Sequence, residues 1–333
     1  MIQLITKCIG SFIGFRTLSA VVCLLCATSV RANPLTTFSA ADPCILNANG
    51  KTYLYHTGYG RGQGAFPILV AKNASLTSWT QTGTILRIGS FPAWAKNNSR
   101  YWAPEVHLIA GSYVSYFSGE DKHNRFCIGT AVADKPDGPF VARKSPLVSD
   151  AKVGLIDPTY YRDPVTGQGY VVWKVDGNGL SPQIPTNLVM QKVSSDGLTV
   201  IGKPWNILQN TAAWEGELVE GPSFLYRHGY YYLFYSGNVY SDDRYAVGVA
   251  RSKSVAGPYE KYEGNPILKS DAHFSGPGHQ FLVRGSQDQW TIFYHARDKS
   301  RQEGQSARLL MMDNVEWAAD GWPRINNGTP SHN

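Results

Sequence analysis

The segment Val219-Glu220-Gly221-Pro222, followed by Gly229-Tyr230-Tyr231-Tyr232-Leu233-Phe234-Tyr235, shows the unit from which this chain is built. Each unit has an acidic or Pro-flanked start, a short apolar run, a Gly-containing turn and an aromatic strand. The other four copies are Ala41-Asp42-Pro43-Cys44-Ile45-Leu46 with residues 50–55, Ala103-Pro104-Glu105-Val106 with residues 111–117, Ile156-Asp157-Pro158-Thr159-Tyr160 with residues 169–173, and Gly276-Pro277-Gly278-His279 with residues 289–294. The copies begin at positions 42, 105, 157, 220 and 279. A strand-turn-strand unit repeated at such intervals predicts a five-bladed β-propeller.

Each unit also has room for a third and a fourth strand. Residues 128–133 lead into Asp137-Gly138-Pro139-Phe140, and residues 247–252 lead into Ala256-Gly257-Pro258-Tyr259. Both pairs are typical of a strand, a turn and a further strand. No long helical apolar period occurs after residue 32, and no linker interrupts the chain. We therefore predict an all-β fold with about four strands per blade, in which residues 33–333 form a single domain.

Residues 1–32 have the features of a secretory signal peptide. Lys7 and Arg16 precede an apolar stretch over residues 18–30, and Val30-Arg31-Ala32 ends in a small residue suited to cleavage. The alternative is a membrane anchor, which we rank second because the apolar run is shorter than the roughly 20 residues that span a bilayer. We expect a secreted, extracellular protein with no membrane association after signal removal.

Composition limits the possible partners. The chain of 333 residues has a net charge of +6, and the residues after the signal carry only +3, which is too weak and too scattered a charge to indicate nucleic acid. We expect a monomer. Secretion agrees with glycosylation sequons at Asn73, Asn97 and Asn327. Cys44 and Cys127 either pair in an oxidising compartment or remain two buried thiols, and the sequence leaves both possibilities open.

Three carboxylates stand at what look like equivalent positions of the repeat, namely Asp42, Asp157 and Glu220. Each begins an apolar strand, where an unpaired charge would be costly to bury. In contrast, Asp163-Pro164 precedes Val165-Thr166-Gly167 and is typical of a hairpin turn. If the inner strands meet at the propeller axis, the three carboxylates converge there. Two carboxyl groups facing each other suit glycoside hydrolysis, and a third can raise the pKa of the acid.

These motifs, together with Tyr101-Trp102-Ala103-Pro104-Glu105-Val106, resemble glycoside hydrolase family 43, the five-bladed propeller glycosidases. The resemblance covers nearly all of residues 38–325. It implies that Asp42 is the general base, Glu220 the general acid and Asp157 the group that tunes and orients the acid. It also implies inversion at the anomeric carbon, with Asp42 and Glu220 roughly 6.5–9.5 Å apart. No organic cofactor is implied.

His279 has two interpretations. The resemblance implies a histidine near the axis beside a calcium or sodium ion. A single histidine would suit an ion held mostly by water, because such cations prefer oxygen ligands. The alternative is a core histidine hydrogen-bonded between blades.

Several other side chains are candidates for sugar contacts. Aromatic rings stack well on sugars but also fill β cores, and the aromatic candidates are Trp102, Phe66, Trp94, Trp173 and Trp214. Arg308 is placed to reach a sugar hydroxyl from the last blade, or to form a salt bridge on its strand. Glu215 and Glu217 rival Glu220 as the acid on chemistry alone, and only the context Val-Glu-Gly-Pro favours Glu220. Glu105 is expected to be supportive, without a part in proton transfer.

The leading hypothesis is a secreted inverting glycosidase that cleaves α-L-arabinofuranosyl linkages in arabinan or arabinoxylan, with a polysaccharide or oligosaccharide as its substrate. A β-xylosidase, an endo-arabinanase or a galactan-acting enzyme would use the same chemistry. A non-catalytic sugar-binding propeller is a different class, but it has no need for an acid, a base and a tuning group. A protein-interaction propeller of the Trp-Asp repeat kind is disfavoured because the repeat is longer and lacks that dipeptide.

Overall fold

Five antiparallel sheets follow one another along the chain in the computed structural model, which describes residues 33–60, 64–301 and 307–332. The first sheet contains β1 (Ala41–Ala48), β2 (Lys51–Thr57), β3 (Tyr59–Gly60), β4 (Gly64–Ala71) and β5 (Trp79–Arg87). The second contains β6 (Tyr101–Ile109), β7 (Ser112–Glu120), β8 (Phe126–Ala133) and β9 (Val141–Ala142), and the third β10 (Leu155–Arg162), β11 (Gly169–Val175), β12 (Asn187–Val193) and β13 (Val200–Gln209). The fourth contains β14 (Val219–Arg227), β15 (Tyr230–Gly237), β16 (Ala246–Ser252) and β17 (Glu260–Lys261), and the fifth β18 (Phe274–Arg284), β19 (Trp290–Asp298), β20 (Leu309–Trp317) and β21 (Pro323–Ile325).

The arrangement is a five-bladed β-propeller, which confirms the predicted fold class and the four-stranded blade. The only helical pieces in the described ranges are three 3-10 turns at Gly177–Gly179, Ala213–Glu215 and Ser286–Asp288. None of these turns is long and apolar enough to span a membrane. The predicted signal peptide, residues 1–32, lies outside the described residues.

The hydrophobic core consists of five clusters, one between each pair of neighbouring blades. The second strand of a blade contributes alternate side chains to the clusters on its two sides. In β11, for example, Val171 packs toward the second blade and Val172 toward the fourth. Successive strand residues point to opposite faces of a sheet, so a strand buried on both faces must be apolar throughout. This explains the continuous aromatic and aliphatic runs that mark each repeat.

The ring closes because the first and fifth blades share a core cluster. Leu54 of β2 and Phe293 of β19 are buried together there. Residues that precede β1 bind along the open side of β20, where the N–H of Leu35 donates to the carbonyl of Leu310 at 2.7 Å. The N-terminal segment and the last blade therefore form a continuous interface, which leaves no open edge at this junction.

Every inner strand carries a β-bulge near its start, and the bulge follows one sequence rule. Two residues of the inner strand lie opposite one of its partner in each such bulge, as Asp42 and Pro43 lie opposite His56 in the first blade. Each of these bulges contains a residue in the left-handed backbone region followed by Pro; these residues are Asp42, Ala103, Asp157, Gly221 and Gly276. The strand β18 has a second bulge, where His279 takes the left-handed region and is followed by Gln280. The extra residue of a bulge is left unpaired, and Pro suits it because Pro has no N–H to leave unsatisfied.

The positions of the bulges show that Glu220 is not equivalent to Asp42 and Asp157 in the repeat. Asp42 and Asp157 are equivalent, but their counterpart in the fourth blade is Gly221, and Glu220 lies one residue earlier, in the position of Trp102 and Ile156. The expectation that all three carboxylates are equivalent was therefore wrong. It failed because a residue with positive φ turns its side chain out of the regular alternation, so two adjacent positions can face one cavity.

Candidate active site

The bulges of the inner strands surround a cavity of about 270 Å³ at one end of the propeller axis. Asp42, Asp157 and Glu220 all line this cavity, although they come from β1, β10 and β14. All three are mostly buried. The structure thus brings the three predicted carboxylates together, which is the convergence that the repeat pattern predicted.

Asp42 is held as an anion by a cluster of cationic and imidazole groups. Its Oδ1 lies 2.8 Å from Nη1 of Arg308 and 3.4 Å from Nδ1 of both His279 and His295. Burial alone would raise the pKa of Asp42, but Arg308 and then His279 outweigh it and hold the pKa well below its usual range, whereas burial lowers the pKa of His295 and keeps that imidazole neutral. Asp42 is therefore ionised.

Asp157 lies among other carboxylates with less compensation. Burial raises its pKa, His279 opposes that shift, and the nearby charge of Glu220 adds to the rise. Its Oδ2 accepts a hydrogen bond from the N–H of Gly221 at 3.2 Å. Asp157 thus holds the backbone next to Glu220, while burial favours the protonated form of its own carboxyl.

Glu220 is bonded through both of its oxygens. Oε2 lies 2.9 Å from Nζ of Lys174, and Oε1 accepts a hydrogen bond from the hydroxyl of Tyr245 at 2.8 Å. Lys174 is almost completely buried, and its Nζ also lies 3.0 Å from Oδ1 of Asp176. Two buried groups therefore fix the orientation of the Glu220 carboxyl toward the cavity.

The rival glutamates have other positions. Glu215 is fully buried and bonded to Tyr235 (2.7 Å) and Lys261 (2.7 Å), away from the cavity. Glu217 is exposed to solvent. Glu105 binds His107 of its own strand at 2.7 Å and accepts a hydrogen bond from the hydroxyl of Thr159 on β10 at 2.9 Å, and this second contact links the second and third blades.

His279 lines the cavity and faces two carboxylates, with its Nδ1 3.4 Å from Asp42 and 3.8 Å from Asp157. Burial lowers its pKa, but the carboxylates outweigh this and raise it. Within residues 33–60, 64–301 and 307–332, no three His, Cys, Asp or Glu side chains are grouped so that they could hold a metal ion. The protein donors thus do not form a metal-ligand set. An ion held through water beside His279 stays a prediction, and no step below uses it.

The aromatic candidates separate by burial. Trp102 lines the cavity and stacks on Phe126 at a centroid distance of 4.1 Å. Phe66 and Trp173 are buried in the inter-blade cores, so neither has surface to offer a sugar. Trp214 packs against Tyr235, and Trp94 against Phe117; neither lines the cavity. The prediction of sugar contacts was wrong for Phe66 and Trp173, because tryptophan and phenylalanine fill inter-blade cores as readily as they bind sugars. For Trp214, which is partly buried, it stays a prediction.

Arg308 lines the cavity and also forms a salt bridge with Asp42. The predicted salt bridge is therefore present, and the predicted contact with a sugar hydroxyl stays a prediction. Tyr240 stands beside Arg308 with the guanidinium 4.8 Å from the ring centre, and the Tyr240 side chain is 48% exposed. Cys44 and Cys127 are both free, buried thiols in the first and second blades.

Sequence reasoning missed Lys174, Asp176, Tyr240 and Tyr245. Lys174 had a detectable signal, because it is a charged residue that ends the apolar run Tyr170-Val171-Val172-Trp173 at the point where other blades have Thr57, Ser118 or Ser236. Tyr245 had none, since it lies in a connection whose course toward Glu220 depends on the fold.

The cavity is lined by an ionised carboxylate and by a second, hydrogen-bonded carboxyl group, and glycoside hydrolysis uses such a pair. The propeller and this site together indicate a glycosidase. The chain is a member of glycosyl hydrolases family 43, which matches residues 31–323. The resemblance noted in the motifs is thereby confirmed.

Individual relatives are distant. A xylan 1,3-beta-xylosidase of Vibrio sp is 27% identical over 79% of this chain, and the chain spans about half (49%) of that relative's length. An extracellular exo-alpha-(1->5)-L-arabinofuranosidase of Cellvibrio japonicus (strain Ueda107) is 23% identical, with 85% of each chain covered. A solved structure described as a thermostable family-43 glycoside hydrolase superposes with a TM-score of 0.78 at 28% identity, covering 91% of this chain and 97% of that chain.

Proposed function

We propose that the protein is an inverting glycosidase that hydrolyses α-L-arabinofuranosyl linkages of arabinan or arabinoxylan, with Asp42 as general base, Glu220 as general acid and Asp157 as the group that tunes Glu220. The observation that carries the proposal is the convergence of three carboxylates, in three different charge environments, on one cavity.

The proposed reaction needs one displacement. Asp42 removes a proton from a water molecule, and the water oxygen forms a bond to the anomeric carbon. The glycosidic C–O bond breaks at the same time, and its oxygen takes a proton from Glu220. Exchange with solvent afterwards removes the proton from Asp42 and returns one to Glu220.

The charge environment of each carboxylate supports these roles. Arg308 favours the anion of Asp42, as a base requires. Asp157 lies beside Glu220 and is bonded to the N–H of Gly221, and burial raises the pKa of Asp157 itself, so the two neighbouring carboxyl groups carry a proton between them more readily than separate groups would. Trp102 and Tyr240 both line the cavity and offer aromatic surface to a sugar.

The choice of sugar rests on the relatives. One relative is named an arabinofuranosidase acting on α-(1→5) linkages, and another a xylosidase. The second candidate function is therefore a β-xylosidase of the same mechanism. Export from the cell is part of the proposal, because residues 1–32 have the composition of a signal peptide and the arabinofuranosidase relative is named extracellular.

The test is an activity panel with identification of the product. Nitrophenyl α-L-arabinofuranoside and β-D-xylopyranoside, arabinan, arabinoxylan, xylan and galactan would be incubated with the full chain, and the anomer first released would be followed by proton NMR. We expect release of arabinose with inverted configuration. A retained anomer would overturn the mechanism, and sugar binding without release on every substrate would favour a non-catalytic propeller.

Asp42→Asn is the variant that tests the base. It should lose at least about 100-fold in turnover and still unfold cooperatively, at a lower temperature than the wild type because the partly buried Arg308 guanidinium loses its counter-charge. Asp163→Asn in the turn after β10 removes a carboxylate outside the cavity and serves as the control, with turnover expected to be unchanged.

A further inference from the structure

Lys174 occupies a position that has a structural role in the other four blades. Thr57, Ser118, Ser236 and His295 stand at the same place near the end of the second strand. Each accepts a hydrogen bond from a backbone N–H in the bulge of the next blade, over 2.7, 3.0, 2.8 and 3.2 Å respectively. These bonds attach each inner strand to the blade before it.

A lysine ammonium has three donors and no acceptor, so Lys174 cannot take this role. The N–H of Gly221, which would need that acceptor, donates instead to Oδ2 of Asp157 at 3.2 Å. The structural bond is therefore supplied by another residue. Of the five equivalent positions, this is the one that carries an ammonium, and the ammonium is buried. The presence of Lys174 must therefore be explained by its charge.

That ammonium lies between two carboxylates. Its Nζ is 2.9 Å from Oε2 of Glu220 and 3.0 Å from Oδ1 of Asp176. A cation beside Glu220 favours the anion, and this opposes the role of an acid. Asp176 faces the same cavity and neutralises part of that charge.

We propose that Lys174 and Asp176 are positioning residues for proton transfer: Lys174 fixes the Glu220 carboxyl, and Asp176 limits how strongly the ammonium favours loss of the Glu220 proton. This inference rests on the proposed role of Glu220 as general acid.

Other charged and titratable groups near Glu220 contribute to the same balance. They are Asp157 on β10, Asp42 on β1, Tyr245 before β16, His279 on β18 and Arg308 before β20. The proposed pair differs from them because one ammonium touches both carboxylates, so that its two members act on Glu220 through a single contact and with opposite sign. Removing one and then the other should therefore move the same titration in opposite directions.

The experiment is the pH profile of kcat/KM for the full chain, measured with the pentoside that the wild type hydrolyses and that has a poor leaving group. The alkaline limb of this profile reports the acid of the free enzyme. Lys174→Met should move the alkaline limb up by about one to two pH units. Asp176→Asn should move it down by about half a unit to one unit, while Lys174→Arg should stay near the wild-type limb.

A matched control is Lys261→Met, which removes a lysine 2.7 Å from the buried Glu215 outside the cavity. It should lower thermal stability without moving the limb. Limbs that stay fixed in both Lys174→Met and Asp176→Asn, or that move in the same direction, would overturn the inference. If Lys174→Met is too slow to profile, Asp176→Asn decides alone: a downward shift supports the inference, and a fixed or upward limb refutes it.

The two levels of the proposal fail in different ways. A wild type that hydrolyses none of the glycosides would refute the proposed function. A wild type that is active, with limbs unmoved by these variants, would refute only the roles of Lys174 and Asp176.

Discussion

Replacing Glu220 by Gln removes an ionisable proton and changes little else. Gln has the same length, and its carbonyl oxygen can still accept from Lys174 or Tyr245, which lie 2.9 and 2.8 Å from the carboxyl oxygens. Lys174 also keeps its bond to Asp176 at 3.0 Å, so the buried ammonium retains a counter-charge. The folded structure should therefore survive, with a loss of at most about 1–3 kcal/mol in the free energy of unfolding.

The catalytic loss should be larger and should depend on the leaving group. A positioned general acid contributes about 10²- to 10⁴-fold, which is about 2.7–5.5 kcal/mol of the barrier. That loss is expected for kcat on a natural glycosidic linkage. With a dinitrophenyl glycoside the leaving oxygen needs no proton, so the loss should shrink to about tenfold or less.

The assay compares kcat on both kinds of substrate for the wild type, Glu220→Gln and the exposed neighbour Glu217→Gln, with thermal unfolding as the check on folding. Glu217→Gln should match the wild type, because its side chain is exposed outside the cavity. Equal losses of Glu220→Gln on the two substrates, or wild-type turnover on the natural linkage, would refute the assignment of Glu220 as the acid.

Three further predictions concern binding and stability. Trp102→Ala should raise KM by about 2- to 12-fold, the equivalent of about 0.5–1.5 kcal/mol of ring contact, and an unchanged KM in steady-state kinetics would contradict a sugar contact. Phe66→Ala should instead cost about 3–5 kcal/mol in the free energy of unfolding, because its ring is fully buried in the core. Denaturant unfolding measures this cost. A large rise in KM with little loss of stability would show that the core assignment is wrong. Asp157→Asn should raise the melting temperature at pH 8. Burial raises the pKa of Asp157 in the folded state above its unfolded pKa of about 4, so the wild type loses stability as the pH rises from the unfolded pKa through the folded pKa. The gain should vanish near pH 4, and a gain of equal size at both pH values would refute the linkage.

The sequence by itself determined the propeller, because each blade must bury both faces of its second strand and that requirement produces a run such as Tyr230-Tyr231-Tyr232-Leu233-Phe234-Tyr235 in every repeat. It also predicted that Asp42, Asp157 and Glu220 face a common centre, since each lies near the start of an inner strand and the inner strands of a propeller surround its axis.

Only the tertiary structure decided how those acids are tuned and which aromatic rings reach the cavity. Glu220 and Asp157 occupy different positions of their bulges, and the direction of a side chain at a residue with positive φ cannot be read from strand alternation. Lys174 and Arg308 act on the acids across blade boundaries, through contacts between residues 46 and 266 positions apart in the chain, and Tyr245 reaches Glu220 from a connection of the same blade, 25 positions away. Local patterns record which faces of a strand are buried; the distances between charges on different blades arise only when the ring has closed.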